Sequence, residues 1–232
     1  MRERPPSPVK SSVRRTTLAV DVVILSPRID ALAVLLVRAT PGARERWSLP
    51  WDAPLAGEGL EDAATRITES VLGAAPALLE QAGAFADTRR HPGDADVSVG
   101  IVALTPPVDV ALGAGAEWFT LGALPALSPR HRAIVDRATT VVRQRLDQSP
   151  LAFRLLPTTF TLSDLQGIYE ILLGRPLHKA SFRRALQASY LVEPTDEWRS
   201  EGRGRPAQLF RFAPRKRRGA RRGVRFDLFT DG

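Results

Sequence analysis

The chain has no cysteine, one methionine and three histidines in 232 residues. Without cysteine there is no disulfide framework and no thiolate metal site, which fits a reducing interior. His91, His131 and His178 are scattered and show no metal-ligand spacing, so no metal is expected. No apolar run approaches the ~18 residues of a membrane span, and the N-terminus lacks a signal-peptide apolar region. The expected location is therefore cytoplasmic, with no membrane partner. No Ser-His-Asp arrangement is evident, nor a glycine-rich phosphate loop of P-loop or Rossmann type. No cofactor is expected, and no internal repeat is visible.

What remains is ample for a folded core, since 44% of the residues are hydrophobic, and the length allows one large or two modest domains. Residues 1–15 are rich in Pro, Ser and Arg without a period, and read as a disordered arm. Thr17–Leu25 and Leu32–Val37 are β-rich runs bridged by Ser26 to Asp30, a predicted hairpin. Gly59–Leu72 has Leu60, Ala63, Ala64, Ile67 and Val71 on one side, as a helix would. Val97–Leu104 reads as a buried strand. Ser128 caps and Pro129 opens a helix to about Gln148, with Ile134, Val135, Ala138, Val141, Val142 and Leu146 inward. Strands, then helices, then a composition shift near Ser149-Pro150 predict an α+β domain over 16–150 and a small second domain over 151–213.

That second stretch carries the strongest signal. Thr161 caps a helix with Asp164 as the reciprocal carboxylate, and Leu162, Leu165, Ile168, Tyr169 and Leu172 form its apolar stripe. Gly174 and Pro176 end it. In the basic helix Leu177–Leu186, Phe182, Ala185, Leu186 and Ser189 share one face, while Ala180, Arg184 and Gln187 project opposite, with Arg183 at the edge. Arg and Gln address guanine and adenine edges bidentately. Gly202-Arg203-Gly204-Arg205-Pro206 then leads into Ala207–Phe212, which alternates like a strand. A basic helix followed by a Gly/Arg-tipped hairpin is the sequence of a winged helix-turn-helix: the helix enters the major groove and the hairpin tip follows phosphates. Residues 175–225 hold 15 Lys/Arg against 4 Asp/Glu, a net +11 where the whole chain carries +8, so the basicity is localised as a nucleic-acid footprint should be. Candidate DNA-binding residues are Lys179, Ser181, Arg183, Arg184, Gln187, Arg203, Arg205 and Gln208. The basic tail, 214–232, is predicted to be disordered and fits a solubilising role as well as a phosphate-binding one.

Upstream, Trp47-Ser-Leu-Pro50, Gly57-Glu58 and Leu60–Arg66 resemble the Nudix box, whose motif runs Gly-x5-Glu-x7-Arg-Glu-x2-Glu-Glu-x-Gly. On this chain Asp52 stands at the first Gly, Glu58 at the first Glu and Arg66 at the Arg. Ile67, Ser70 and Val71 stand where the remaining carboxylates belong, and Gly73 keeps the last Gly. Nudix hydrolysis needs those carboxylates to hold divalent cations on the pyrophosphate, so the framework survives better than the chemistry.

A Nudix-like domain joined to a winged helix resembles the NrtR family, Nudix-related transcriptional regulators of NAD metabolism. Phe160–Gln166, Gly174–Leu177, Phe182–Arg184 and Gly202–Leu209 look like its C-terminal signature. Arg90-His91-Pro92 resembles its Arg-Asp-Pro segment with His91 replacing the Asp, and Trp118, Leu124-Pro125 and His131 resemble the closing stretch of its Nudix-like domain. The resemblance implies a Nudix-like α/β/α sandwich followed by a winged helix, and a homodimeric repressor on a palindromic DNA operator. It implies release by a nucleotide, commonly ADP-ribose. Asp52 and His91 depart from the family around the pocket, where the ligand could differ from ADP-ribose or be absent.

Candidate ligand-binding residues are Arg38, Trp47, Glu58, Arg66 and Arg90. Trp47 fits a base-stacking wall or the core. Arg66 fits a structural pair with Glu58 or Glu69 better than a pyrophosphate contact. Arg38 and Arg90 fit bidentate phosphate contacts or ordinary surface positions. Two other classes stay open, a Nudix pyrophosphatase with a noncanonical metal site and a non-enzymatic nucleic-acid-binding adaptor. Carboxylate count in the box disfavours the first, and binding to specific against random duplexes separates the second.

Overall fold

A computed structural model of the protein describes residues 16–107, 112–200 and 206–213. The N-terminal arm, the wing-tip residues Arg203 and Arg205, and the basic tail lie outside the described residues.

The first strands, β1 (Leu18–Arg28) and β2 (Ala31–Arg38), form the expected hairpin, but with a loop of only Ile29 and Asp30. Ser26, Pro27 and Arg28 belong to the ladder rather than to the loop. Pro27 is tolerated there because β1 loses its other neighbour beyond Leu25, so a missing N–H leaves no gap in a second ladder. Two short pieces follow, β3 (Trp47–Ser48) and β4 (Trp51–Asp52), before helix α1 (Leu60–Leu72). Strands β5 (Leu78–Phe85), β6 (Val97–Leu104) and β7 (Ala116–Thr120) complete a mixed seven-stranded sheet of order β3-β2-β1-β6-β5. In it β1 and β6 run parallel, β4 pairs with β1 and β7 with β2.

Each face of this sheet carries a helix. Val20, Val22 and Ile24 of β1 and Val99, Ile101 and Ala103 of β6 bury Ala63, Ala64, Ile67 and Leu72 of α1. The other residues of the same strands, Val23, Leu25, Val102 and Leu104, face Ile134, Val135, Ala138 and Val142 of α2 (Pro129–Arg145). Gly100 lets α2 approach: a Cβ there would lie 2.7 Å from the Ile134 side chain. Helix α2 ends at Arg145 rather than near Gln148. Its last turn tightens, with the Gln148 and Ser149 amides both donating to the Arg145 carbonyl, because Pro150 disfavours helix in the residue before it.

The apolar surface on the α2 side runs without a break into the C-terminal unit. Leu151, Phe153 and Leu155 of a short 3-10 turn lead to β8 (Thr159–Phe160) and α3 (Leu162–Leu173). Then come α4 (Lys179–Ser189), β9 (Val192–Arg199) and β10 (Ala207–Phe212), with sheet order β8-β10-β9. Leu165, Ile168, Tyr169 and Leu172 of α3 with Phe182 and Leu186 of α4 share one core with the sheet residues facing α2. Among the described residues no helix is long and apolar enough to cross a membrane.

Candidate functional site

The helix-turn-helix is held by local chemistry. Thr161 Oγ1 accepts the Asp164 amide at 3.0 Å, and Asp164 returns the bond by accepting the Thr161 amide at 2.8 Å. Arg199 donates to the same carboxylate at 2.8 Å, which ties the end of β9 to the start of α3. Burial pushes the Asp164 carboxyl up, but the hydrogen bonds from Arg199 and Thr161 outweigh it and hold the group below its ordinary range. Gly174 ends α3 in a left-handed conformation. Glu170 then accepts from Gln166 and from the Leu177 amide, which fixes the turn into α4.

On α4 the two faces divide as the periodicity predicts. Phe182 and Leu186 are buried, Ala185 and Ser189 are half-buried, and Lys179, Arg183, Arg184 and Gln187 are exposed. Ser181 is half-buried, and its hydroxyl meets His178 Nδ1 at 3.1 Å across the first turn. Gln208 donates to the Thr195 carbonyl at 3.2 Å, so its amide braces the β9–β10 hairpin. Opposite it stands Trp198, 57% exposed, an aromatic in a charged stretch to which the sequence reading gave no role.

The five candidate ligand residues make three sets of contacts. Trp47 is buried, edge-on to Phe119, and carries the Arg38 guanidinium 4.2 Å above its ring. Arg90 pairs with Glu45. Arg66 donates from Nε and Nη2 to Glu58, from Nη1 to Asp52 at 2.7 Å and from Nη2 to the Ala53 carbonyl at 3.2 Å. Hydrogen bonds from Arg66 and the Leu55 amide lower the Glu58 carboxyl to about 2. The Arg66 pairing expected with Glu58 or Glu69 is made with Glu58, and Asp52 replaces Glu69 as its second partner.

Two of the scattered histidines meet on one buried carboxylate. Asp21 Oδ1 accepts from His131 Nε2 at 2.8 Å and from His91 Nε2 at 2.9 Å, with all three side chains fully buried. Each imidazole is oriented from its other nitrogen: His91 Nδ1 accepts the Gly93 amide at 3.0 Å and His131 Nδ1 accepts the Leu49 amide at 3.1 Å. An Nδ1 that accepts a backbone N–H leaves the ring proton on Nε2, where it points at Asp21. Although these three side chains lie close enough together to share an ion, that pattern turns protons, not lone pairs, toward its centre. The cluster is a clasp that joins β1, the 86–96 loop and the first turn of α2.

Its pH response follows from the same geometry. Burial depresses His131 below its ordinary 6.5 despite the opposing pull of Asp21. At Asp21 burial pushes the carboxyl up, but the two histidine hydrogen bonds prevail and lower it. A depressed histidine binds its proton more readily in the unfolded chain, so its stability contribution falls as pH drops below 6.5; the depressed Asp21 adds a further loss below its ordinary 3.8. The unfolding midpoint is therefore expected to decline as pH falls from 7 to 5, and His131→Gln should flatten that decline. A midpoint constant over this interval would contradict the assignment.

The family model described as the NrtR DNA-binding winged helix domain matches residues 152–212. The ADPR responsive transcriptional repressor NtrR of Acinetobacter baylyi is 31% identical over 213 residues, covering 88% of this chain and 85% of its own length. This chain belongs to the NrtR family.

Among solved structures, Shewanella oneidensis NrtR complexed with a 27mer DNA superposes with a TM-score of 0.72 at 28% identity, covering 85% of this chain and 94% of that one. A second structure of Shewanella oneidensis NrtR gives a TM-score of 0.73 at 27% identity, covering 86% of this chain and 95% of that one. A MutT/nudix family protein from Enterococcus faecalis shares the fold, with a TM-score of 0.67 at 20% identity, covering 91% and 90%. The fold is thus that of NrtR, a Nudix-like α/β/α sandwich followed by a winged helix. Sequence reasoning about this NrtR-family chain missed Asp21. A lone aspartate inside the apolar run Thr17–Leu25 was the available signal, since a buried carboxylate requires partners.

Proposed function

We propose that this protein is an operator-specific repressor whose Nudix-like unit, over 16–150, binds ADP-ribose or a related nucleotide without hydrolysing it. The winged helix over 151–213 reads DNA, and two copies act together on a palindrome. The observation that carries the reading is the outward face of α4. Lys179, Arg183, Arg184 and Gln187 stand exposed there, and none of their side chains makes a hydrogen bond or ion pair with another described residue. Family membership and the ADPR-responsive relative supply the effector class. Selection from a random duplex pool, with and without ADP-ribose, tests it: a recovered palindrome that ADP-ribose displaces is the expected result. Recovery of unrelated sequences would favour a general nucleic-acid binder.

The Nudix box supports a non-hydrolytic role. Ile67 is buried in the α1 core, Ser70 turns its hydroxyl back to the Ile67 carbonyl, and Glu58 and Asp52 are both engaged by Arg66. The hard oxygen ligands that a pyrophosphatase needs are not gathered by these residues. Incubation with ADP-ribose and Mg²⁺ or Mn²⁺ should give no hydrolysis above a Glu58→Ala control. Turnover lost in that control would establish the enzyme reading instead.

A further inference from the structure

Two contacts at opposite ends of α2 bear on how an effector could reach the DNA-binding unit. At its N-terminus, His131 is held on Asp21 together with His91. His91 belongs to the same loop as Arg90, one of the candidate effector residues. His91 donates to Asp21 as a neutral ring. The preceding side chain, Arg130, is also buried, and donates to the Ala95 carbonyl at 2.6 Å and the Asp87 carbonyl at 2.6 Å. Both ends of the 86–96 loop are therefore fastened to the first turn of α2.

At the other end, α2 touches the helix-turn-helix. Arg143 Nη2 lies 2.9 Å from the position a Cβ on Gly174 would take, so the guanidinium covers the left-handed residue that ends α3. Ala138, Val142 and Leu146 share one core with Leu165, Ile168, Tyr169 and Leu172 of α3. Helix α2 has 17 residues, about 25 Å along its axis, so one continuous helix spans from the clasp to the α3–α4 turn.

We propose that the His91–Asp21–His131 clasp couples the 86–96 loop to α2, and that α2 transmits the state of that loop to the turn that orients α4. His91 and His131 are positioning residues: neither faces DNA. The direction in which an effector moves the clasp rests on the effector reading above, but the coupling itself does not.

Amide hydrogen exchange on the full chain tests the coupling without a ligand. In His91→Ala, exchange should rise by at least about five-fold in the 86–96 loop, in the first turn of α2 and in residues 174–178. His91→Gln should stay near wild type, because its amide nitrogen can donate to Asp21 from a similar place. Arg143→Ala, at an exposed position, should raise exchange in 174–178 and leave the 86–96 loop unchanged. Changes in His91→Ala that stop within α2 would overturn the proposal, as would Arg143→Ala leaving 174–178 at wild-type rates. If His91→Ala does not fold, His91→Gln and Arg143→Ala still decide: disruption of the loop by the Gln variant rejects the hydrogen bond as carrier. An added arm with ADP-ribose separates the two readings. If ADP-ribose does not bind wild-type protein, the effector assignment falls while the exchange pattern of the variants still judges the coupling.

Discussion

Asp21→Leu should lower the stability of the protein by about 2–5 kcal/mol, because it leaves the His91 and His131 Nε2–H groups buried with no acceptor. Each orphaned donor costs about 1–3 kcal/mol, and the new methyl groups recover part of that by burial. For a chain of this size the unfolding midpoint should fall by about 5–15 °C. Asp21→Asn should do less harm, since its carbonyl oxygen can still accept from both rings, although the bonds lose their charge and the amide NH2 takes the buried place of Oδ2, which has no hydrogen-bond partner among the described residues. A denaturant titration of both variants at pH 7 measures the difference. Equal stability of Asp21→Leu and wild type would mean that the buried carboxylate contributes no more than a well-packed apolar side chain, as some buried ionic groups do.

That cluster also marks where sequence reasoning stops. The β1–β2 hairpin, α1, α2, α3, α4 and β10 were legible because each carries a local signature: a two- or 3.6-residue apolar period, a Ser or Thr cap, a terminal glycine. The legible features of α3 reappear in detail, with Thr161 and Asp164 forming the reciprocal cap and Gly174 left-handed. The predicted hairpin implies a strand ahead of the wing tip, but the bounds of β9 were not legible. Its sequence, Val-Glu-Pro-Thr-Asp-Glu-Trp-Arg, is polar and holds a proline because it is an edge strand, where charges and Pro194 discourage further pairing. Strand β5 was missed for another reason: Gly83 breaks its alternation at a register irregularity against β6.

The candidate site divides along the same line. Exposure of Arg183, Arg184 and Gln187 follows from helical period alone, so the helix supplied it before any tertiary contact was known. The pairing of Asp52 with Arg66 depends on β4 lying beside α1, and the convergence of His91 and His131 on Asp21 spans residues 70 and 110 positions away. No local pattern encodes such separations. His spacing in the chain argued against any histidine cluster, and the fold made one by bringing the 86–96 loop and α2 to the same end of β1.

Arg184→Ala should weaken binding to the selected operator by about 1–3 kcal/mol, roughly 5- to 150-fold, while leaving affinity for random duplex nearly unchanged. The argument is geometric. Arg184 lies on the face of α4 opposite Phe182 and Leu186, which are buried, so docking that helix in a major groove turns Arg184 and Gln187 toward base edges. An exposed guanidinium that reads guanine bidentately contributes mainly to the specific complex. Arg203→Ala is the natural contrast: it sits between two glycines in the predicted wing tip, where it should contact phosphate. Its loss should weaken both duplexes alike and reduce the salt slope by about one. Titrating each variant against operator and random duplex at several salt concentrations gives both quantities from one experiment. If Arg203→Ala abolishes sequence preference and Arg184→Ala preserves it, the wing reads bases and α4 serves as the electrostatic anchor.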